Sequence, residues 1–347
     1  MKTQVFNRLV LLLAVFSMQM PLKAEQVKKI HKSWPVGKVN ALVVENKFGN
    51  INFLSDRNDS VVIDVVVDAD GSGVRRWNSV QDMIDFDFSF EEGTVSAETR
   101  FSEHFKTNQN FTIIYTIHIP VTKKLDVTNK FGNVSLGDLR SEGRFEVSYG
   151  NFFGNELQAP SKEAVILELK YGSATLVSVN HLKAEISYSK FKGQKIGAAE
   201  FDTRYSNIAV DECESLYSDS QYDTYMIGNL HTLVTDSKFT DWKIDEIRSD
   251  ANFQTEYGDV KVGNIPRGFA TIRIENSFGN IRLGVDKDAA YRLKSDCYFC
   301  DVEYPKSSPV KLFKENNHTQ LETVVGTGSS NSSIIIESKY GKVDLIK

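Results

Sequence analysis

A corner motif built around one aromatic residue recurs twelve times in this 347-residue chain and constrains its fold more than any other feature. The motif has the form [Asn/Ser]-x-[Phe/Tyr]-[Gly/Ser/Asp]-[Asn/Asp], with a short apolar strand pattern on each side. From Tyr171 to Phe239 the aromatic residue recurs every 17 residues, and the neighbouring steps are 18 to 22 residues. A fixed period of this size is typical of stacked repeats that bury their apolar faces against one another. The twelve aromatic residues are Phe48, Phe131, Tyr149, Tyr171, Tyr188, Tyr205, Tyr222, Phe239, Tyr257, Phe278, Phe299 and Tyr340.

Apolar residues alternate with polar ones up to each aromatic residue and resume after it, shifted by one position. Leu125 and Val127 share a parity with Phe131, and the alternation starts again after Gly132-Asn133. Gly, Ser, Asn and Asp at the break favour left-handed or turn backbone, which predicts a corner between two strands. Eight residues after the aromatic, successive repeats carry a second apolar position that predicts a buried column. Its members are Leu139, Leu157, Val179, Ile196, Cys213, Leu230, Ile247 and Ile265.

These patterns predict an all-β fold, a single-chain β-solenoid (β-helix) with coils of about 17–22 residues. We expect a signal peptide at 1–24 and, at 25–124, a first coil with antiparallel strands that cap the solenoid. The regular solenoid is expected at 125–304, an irregular loop insertion at 305–333 and a terminal rung at 334–347.

The N-terminal segment indicates the location of the protein, and the net charge restricts the ligands that it can bind. Residues 1–24 combine basic residues with an apolar stretch too short to span a bilayer, which favours a cleaved export signal. Its removal takes away three basic residues and no acid, so the formal charge moves from −5 to −8. An acidic chain without a basic cluster is a poor nucleic-acid binder. We expect a monomer without a transmembrane segment in its mature part, in the periplasm or on the outer cell surface.

The run from Ile119 to Val134 resembles the junction of bacterial "putative adhesin" domains of the auto-transporter adhesin head type. In these exported β-solenoids, each coil has a strand, a corner with Gly-Asp or Gly-Asn, and another strand. The resemblance extends from about Val39 to the C-terminus and implies surface or envelope binding. This chain departs from the family pattern by placing Phe or Tyr before the corner Gly, where a small residue is commoner.

Three groups of residues are candidate sites. The corner aromatics could form an outward platform for sugar rings, but their parity with the preceding Leu and Val favours an interior stack. The corner Asn and Asp residues are expected to bind their own backbone rather than a cation. Cys297 and Cys300 are a candidate structural disulfide, favoured over a redox pair because no helix N-terminus is predicted there. The six His residues lie at no metal-ligand spacing, and neither a metal nor a cofactor is expected.

No convergent catalytic set appears, so the leading hypothesis is a non-enzymatic envelope protein that binds or scaffolds. Its partner would be a glycan or another envelope protein. One alternative is a carbohydrate-active β-helix enzyme, although the tight coils from Tyr171 to Phe239 leave no room for groove-building loops. The other is a self-assembling envelope scaffold that pairs through its final rung, Ser338 to Lys347.

Overall fold

The computed structural model describes residues 28–55, 59–69, 80, 82–103, 105–107, 110–160, 163–305, 310–327 and 331–346. The segment 1–24, expected to be a signal peptide, lies outside the described residues. Twenty-six β-strands and one short 3-10 helix (Val36–Lys38) are present in the described part, and the strands form one sheet. The all-β prediction is confirmed.

The strands of the N-terminal half are β1 (Lys28–Pro35), β2 (Ala41–Lys47), β3 (Gly49–Leu54), β4 (Ser60–Ala69), β5 (Ile84–Glu91), β6 (Thr94–Phe101), β7 (Phe111–His118), β8 (Lys124–Lys130), β9 (Val134–Leu136), β10 (Gly143–Ser148), β11 (Asn151–Leu157), β12 (Val165–Lys170) and β13 (Ser173–Ser187). The strands of the C-terminal half are β14 (Lys190–Arg204), β15 (Asn207–Gln221), β16 (Thr224–Lys238), β17 (Asp241–Glu256), β18 (Val260–Ile265), β19 (Thr271–Ser277), β20 (Ile281–Val285), β21 (Tyr291–Tyr298), β22 (Asp301–Glu303), β23 (Val310–Glu315), β24 (His318–Val325), β25 (Ser333–Lys339) and β26 (Lys342–Ile346).

Each repeat supplies two strand segments, one that ends at the corner aromatic and one that begins after it. We call the two stacks of segments the pre-corner column and the post-corner column. Strands β13 to β17 contribute to both columns, since each begins after one aromatic and ends before the next. Successive strands pair in parallel at a constant offset, so that Lys190 lies beside Asn207 and Asn207 beside Thr224. Equivalent positions of successive repeats are therefore hydrogen-bonded neighbours.

The core lies between the two columns. Inward residues of both columns belong to one hydrophobic cluster. The Phe191 ring of the post-corner column meets the Phe201 ring of the pre-corner column at 5.2 Å between centroids. All eight members of the second apolar column, from Leu139 to Ile265, are at most 5% exposed. The predicted buried column is confirmed.

The N-terminal region adds strands to both columns, and some of them pair in parallel rather than antiparallel as expected. Strand β5 pairs antiparallel with β6, and β4 pairs antiparallel with both β1 and β7. However, β6 pairs parallel with β2, and β7 pairs parallel with β3. The antiparallel strands expected in 25–124 thus join the repeat stack through two parallel contacts.

The last strand pair of the chain lies inside the stack rather than at its end. Strand β25 is hydrogen-bonded to β19 on one side and to β21 on the other, and β26 lies between β20 and β22. The segment 334–347, expected to form a terminal rung, is therefore inserted between two earlier repeats. Because both edges of β25 are paired, this rung offers no free edge for another chain.

The segment 305–333, expected to be an irregular loop, contains a β-hairpin. Strand β24 pairs antiparallel with β21, and β23 pairs antiparallel with β24. All six residues of β23 are exposed, so no buried face requires a sustained alternation of apolar and polar residues in its sequence, VKLFKE. The hairpin extends the pre-corner column beyond β21.

Side-chain oxygens at the corner link successive repeats in the region where the period is 17 residues. The position after the aromatic holds Ser189, Ser206, Asp223 and Thr240 there, and glycine in most other repeats. Each of these side chains accepts a hydrogen bond from the corner N–H of the preceding repeat, beginning with Gly172 N–H to Ser189 Oγ at 3.1 Å. Side-chain acceptors thereby satisfy backbone donors that the corner removes from the strand ladder.

Asp223 is buried within this series of hydrogen bonds. Its carboxylate accepts hydrogen bonds from Thr203 Oγ1 at 2.7 Å, from the Ser206 N–H at 2.6 Å and from the Gln221 N–H at 3.0 Å. Desolvation nevertheless raises the pKa of Asp223 to about 6, because burial penalises the charged form more than these donors favour it. The folded state therefore binds a proton at Asp223 more tightly than the unfolded chain does.

Replacing Gly132 by Ala should destabilise the stack. A Cβ on Gly132 would lie 1.8 Å from the carbonyl oxygen of Gly49 in the adjoining repeat, so the backbone would have to shift. We expect a loss of about 3 kcal/mol in unfolding free energy by urea denaturation. The matched control is Gly37→Ala, since a Cβ at Gly37 meets no atom within 4 Å. Equal stability of the two variants would contradict the close approach.

Replacing Asp223 by Ser should make stability less sensitive to pH, because Ser is already the corner residue of the two preceding repeats. A folded pKa of about 6 lies above the unfolded value of about 3.8, so stability from Asp223 falls as pH rises between these values. The wild type should lose up to about 3 kcal/mol relative to Asp223→Ser between pH 4 and pH 7. Urea unfolding of both proteins across this range measures the difference, and parallel pH profiles would refute it.

Candidate binding surface

The twelve corner aromatics form one continuous stack, which we call the aromatic ladder. Adjacent rings have centroids 4.7–5.1 Å apart and interplanar angles of 2–13°. The rings follow chain order except at the C-terminal end, where Tyr340 lies between Phe278 and Phe299. This exchange follows from the insertion of β25 and β26 into the stack.

The ladder faces solvent, so the prediction of an interior stack is wrong. Its side chains are 36–53% exposed. The reason is the backbone at the corner, where all twelve residues have φ between 52° and 60°. A residue in this left-handed region interrupts the extended alternation, so its side chain does not follow the parity of the strand before it. The outward platform, disfavoured from the sequence, is the arrangement that the structure has.

The left-handed backbone at the corners is energetically unfavourable for aromatic residues. Left-handed φ costs a bulky residue on the order of 1 kcal/mol, whereas Gly or Asn adopts it readily. A stacked aromatic pair contributes about 0.5–1.5 kcal/mol, and most rings of the ladder have two such neighbours. Stacking therefore offsets the strain without exceeding it by much. Corner geometry alone does not require aromatic residues at these positions.

The stack leaves part of each ring accessible. Near-parallel rings with centroids almost 5 Å apart are offset rather than superimposed, so each ring keeps its outer edge and part of one face uncovered. Eleven such steps give a ladder roughly 50 Å long, in line with the spacing of hydrogen-bonded strands. The result is a narrow aromatic surface with a regular repeat.

The two ends of the ladder differ. At one end, Phe48 contacts a cluster of Phe101, Phe105 and Phe111, with ring centroids 5.5, 6.4 and 5.8 Å away. These rings cover the outer side of Phe48. At the other end Phe299 stacks on Tyr340 and is 53% exposed.

Corner Asn and Asp side chains form a hydrogen-bonded column along the post-corner side of the ladder. Asn133 N–H donates to Asn50 Oδ1 at 2.9 Å, and Asn151 N–H donates to Asn133 Oδ1 at 2.9 Å. Farther along, Asn280 N–H donates to Asp259 Oδ1 at 2.8 Å. These residues therefore link neighbouring repeats instead of binding their own backbone as expected. Within the described residues, no group of three or more His, Cys, Asp or Glu side chains could hold a metal ion.

The two candidate cysteines lie at the corner of Phe299, where the ladder ends. The structure joins Cys297 and Cys300 by a disulfide, with Cα atoms 5.6 Å apart. Cys300 occupies the position after Phe299 that glycine holds in most repeats. Cys213 is a buried free thiol whose pKa is raised to about 12 by desolvation, which makes it an inert core residue.

A concave surface lies on the pre-corner column near its C-terminal end. This groove has a volume of about 600 Å³ and carries carboxylates of neighbouring strands, interspersed with Lys238 and Lys339. Its acidic residues are Asp236, Glu256, Glu275, Asp296 and Glu337.

An acidic residue, Glu246, lies one position before Ile247 of the buried apolar column. Glu246 is held by Arg248 Nε at 2.9 Å and by Asn264 Nδ2 at 2.9 Å, and these hydrogen bonds lower its pKa. A general acid for glycoside hydrolysis needs a raised pKa. Asp223 has a raised pKa, but it is buried and its oxygens already accept hydrogen bonds.

Among the described residues, no helical segment has the length and apolar character needed to cross a membrane.

No protein-family model and no curated protein sequence matches this chain. Solved structures do resemble it. A "putative cell adhesion protein" from Clostridium sporogenes is 10% identical, with a TM-score of 0.20, covering 92% of this chain and 99% of its own. A "putative adhesin" and a "putative lipid binding protein" from Parabacteroides distasonis are each 10% identical, with TM-scores of 0.34 and 0.31, covering 92% of this chain and 97% of their own. The neighbours include proteins of the kind that the corner motif resembles, but at these values the likeness carries no functional argument.

Proposed function

We propose that this chain is an exported, non-enzymatic β-solenoid of the bacterial cell envelope that binds an extended glycan along its aromatic ladder. The observation that carries the proposal is the exposure of twelve stacked rings at strained corners. Strain retained at many equivalent positions points to a role beyond folding. The C–H faces of sugar rings pack well on aromatic surfaces, and the Tyr hydroxyls offer hydrogen bonds beside them.

The solenoid architecture is supported by the parallel, in-register pairing of successive repeats. From β13 to β17 the offset between paired residues stays at 17 through four strand contacts, apart from a one-residue shift after Leu230 in the last of them. An architecture in which each repeat contacts mainly its neighbours gives a rigid rod with one repeated surface. A linear polymer suits such a surface better than a compact ligand does. Export is supported by the basic and apolar segment at 1–24.

Two features favour binding over catalysis. The 17-residue repeats leave no loops to build the walls of an active-site cleft. Glu246, an outer carboxylate, has its pKa lowered by hydrogen bonds from Arg248 and Asn264, whereas a general acid for glycoside hydrolysis needs a raised pKa.

Replacing Tyr171, Tyr188 and Tyr205 by Asn should weaken glycan binding at least about tenfold, because the variant loses three adjacent rings. Asn tolerates left-handed backbone, so the corner itself should persist. Affinity electrophoresis through gels that contain soluble polysaccharides measures the retardation of the mature protein.

The matched control is Tyr217→Asn, since Tyr217 is 54% exposed but lies on a strand face outside the ladder. The control should migrate like the wild type. If no polysaccharide retards the wild type, or if both variants lose binding equally, the ladder is not the glycan site. Release of new reducing ends during incubation would instead indicate an enzyme.

Head-to-tail self-assembly is a second candidate, favoured by the two edges of the pre-corner column. Among the described strands, β5 pairs only with β6, and β23 pairs only with β24. Strand β5 runs against the repeat direction and β23 runs with it, so two molecules stacked in one orientation would join these edges antiparallel. The β5 edge carries Asp85 and Asp87, whereas the β23 edge carries Lys311 and Lys314. Such heterologous contacts lead to open filaments.

If this contact forms, the mass of the wild type in light scattering should rise with protein concentration at low salt. Asp85→Lys with Asp87→Lys should remain monomeric, as should Lys311→Glu with Lys314→Glu. An equimolar mixture of the two variants should yield dimers, because only one complementary pair of edges remains. A wild-type mass that stays monomeric at all concentrations would exclude the scaffold.

A further inference from the structure

We infer that the N-terminal part of the ladder, from Phe48 to Tyr222, binds a polyanionic glycan. This inference rests on the proposed function and specifies the chemistry of its ligand. It comes from the residues that flank each ring, one position before the aromatic in the pre-corner column and two positions after it in the post-corner column.

The flanking positions of this N-terminal part are cationic or neutral throughout. Five are basic, and no acidic residue is among them; the others are Asn, Ser, Gln or Thr. The five basic residues, all exposed, are Lys47, Lys130, Lys170, Lys190 and Arg204. This distribution stands against the acidic balance of the whole chain. Because repeats stack in register, four of these charges lie in one line on the pre-corner side of the rings, and Lys190 lies on the post-corner side.

The flanks of the remaining ladder, from Phe239 to Phe299, are mixed in charge. Lys238, Lys339 and Lys342 are accompanied by four acidic residues, namely Asp241, Glu256, Asp259 and Asp301. Two of the three lysines have acidic partners. Lys238 Nζ lies 3.7 Å from Glu256 Oε2, and Lys342 Nζ lies 3.0 Å from Glu303 Oε1. The charge of this part is largely neutralised by the protein itself.

Lysines of the N-terminal part lack such compensation from described residues. Lys47 and Lys130 are register partners on adjacent strands, with Phe48 and Phe131 stacked beside them at 5.1 Å. Like charges directly opposite each other in a sheet are destabilising. No ion pair joins Lys47, Lys130, Lys170 or Lys190 to any described residue, whereas Arg204 lies 3.6 Å from Asp202. An anionic ligand along the ladder would supply the missing counter-charges.

The geometry favours a polymer over a membrane surface. Successive rings are about 5 Å apart, and the basic residues on the pre-corner side recur at every repeat or every second repeat beside them. Asn50, Asn133 and Asn151 add amide groups along the other side. An extended acidic polysaccharide repeats sugar rings and carboxylates along one line, which matches both elements. Anionic lipid headgroups spread in two dimensions and would meet only the ridge formed by the ladder.

The test uses the mature chain and two variants that each remove three positive charges beside the ladder. One is Lys130→Ser, Lys170→Ser and Lys190→Ser; its matched control is Lys238→Ser, Lys339→Ser and Lys342→Ser. The probes are polygalacturonate, neutral dextran and vesicles of phosphatidylglycerol, titrated at several salt concentrations. We expect the first variant to bind polygalacturonate at least tenfold more weakly with a shallower salt dependence, and the control to change less than threefold.

The outcomes separate this inference from the proposed function. Equal weakening of both variants, or stronger wild-type binding to dextran than to polygalacturonate, would overturn the polyanion assignment while leaving a glycan-binding ladder. Binding to the vesicles without binding to polygalacturonate would identify a membrane surface as the partner instead. If the wild type binds neither polygalacturonate nor dextran nor the vesicles, both proposals are overturned.

Discussion

Parallel hydrogen bonding in register between successive repeats is the constraint on which the rest of the structure depends. With equivalent residues held at the spacing of adjacent strands, any residue type that recurs at one phase of the sequence becomes a column in space. The aromatic ladder, the Asn column beside it and the buried apolar column that begins at Leu139 all arise in this way. An exposed residue type that recurs in each repeat therefore forms a continuous column on the surface.

The corner shows how strain and stacking balance within this scheme. Each aromatic residue occupies a backbone region that disfavours it, and each is stabilised by the one or two rings that the register stacks against it. The same register explains the residue that follows. A glycine such as Gly132 is needed where the neighbouring carbonyl approaches closely, whereas Ser189 and Asp223 occur where the side chain accepts a neighbouring N–H. The corner therefore depends on contacts between repeats more than on local turn chemistry.

The chain ends are organised by different rules from those of the repeats. At the N-terminal end, antiparallel strands extend both columns, and a cluster of Phe side chains covers the first ring of the ladder. At the C-terminal end, the final strand pair enters between two earlier repeats, and the β23–β24 hairpin follows outside. Between these ends the ladder is a long surface whose chemistry repeats, which is why the proposed ligand is a polymer.

The sequence by itself determined the all-β character, the position of each corner and the buried apolar column, because all three follow from short-range alternation and a fixed period. It also showed a break in the strand at each corner, since the alternation resumes one position late after each aromatic residue. Only the tertiary structure decided that the rings face solvent, because this depends on the sign of φ at the corner. The placement of β25 and β26 likewise depended on long-range strand pairing, which no local pattern around Ile334 or Tyr340 encodes. Columns of charge beside the ladder became visible only once the register had aligned residues that lie 17 or more positions apart.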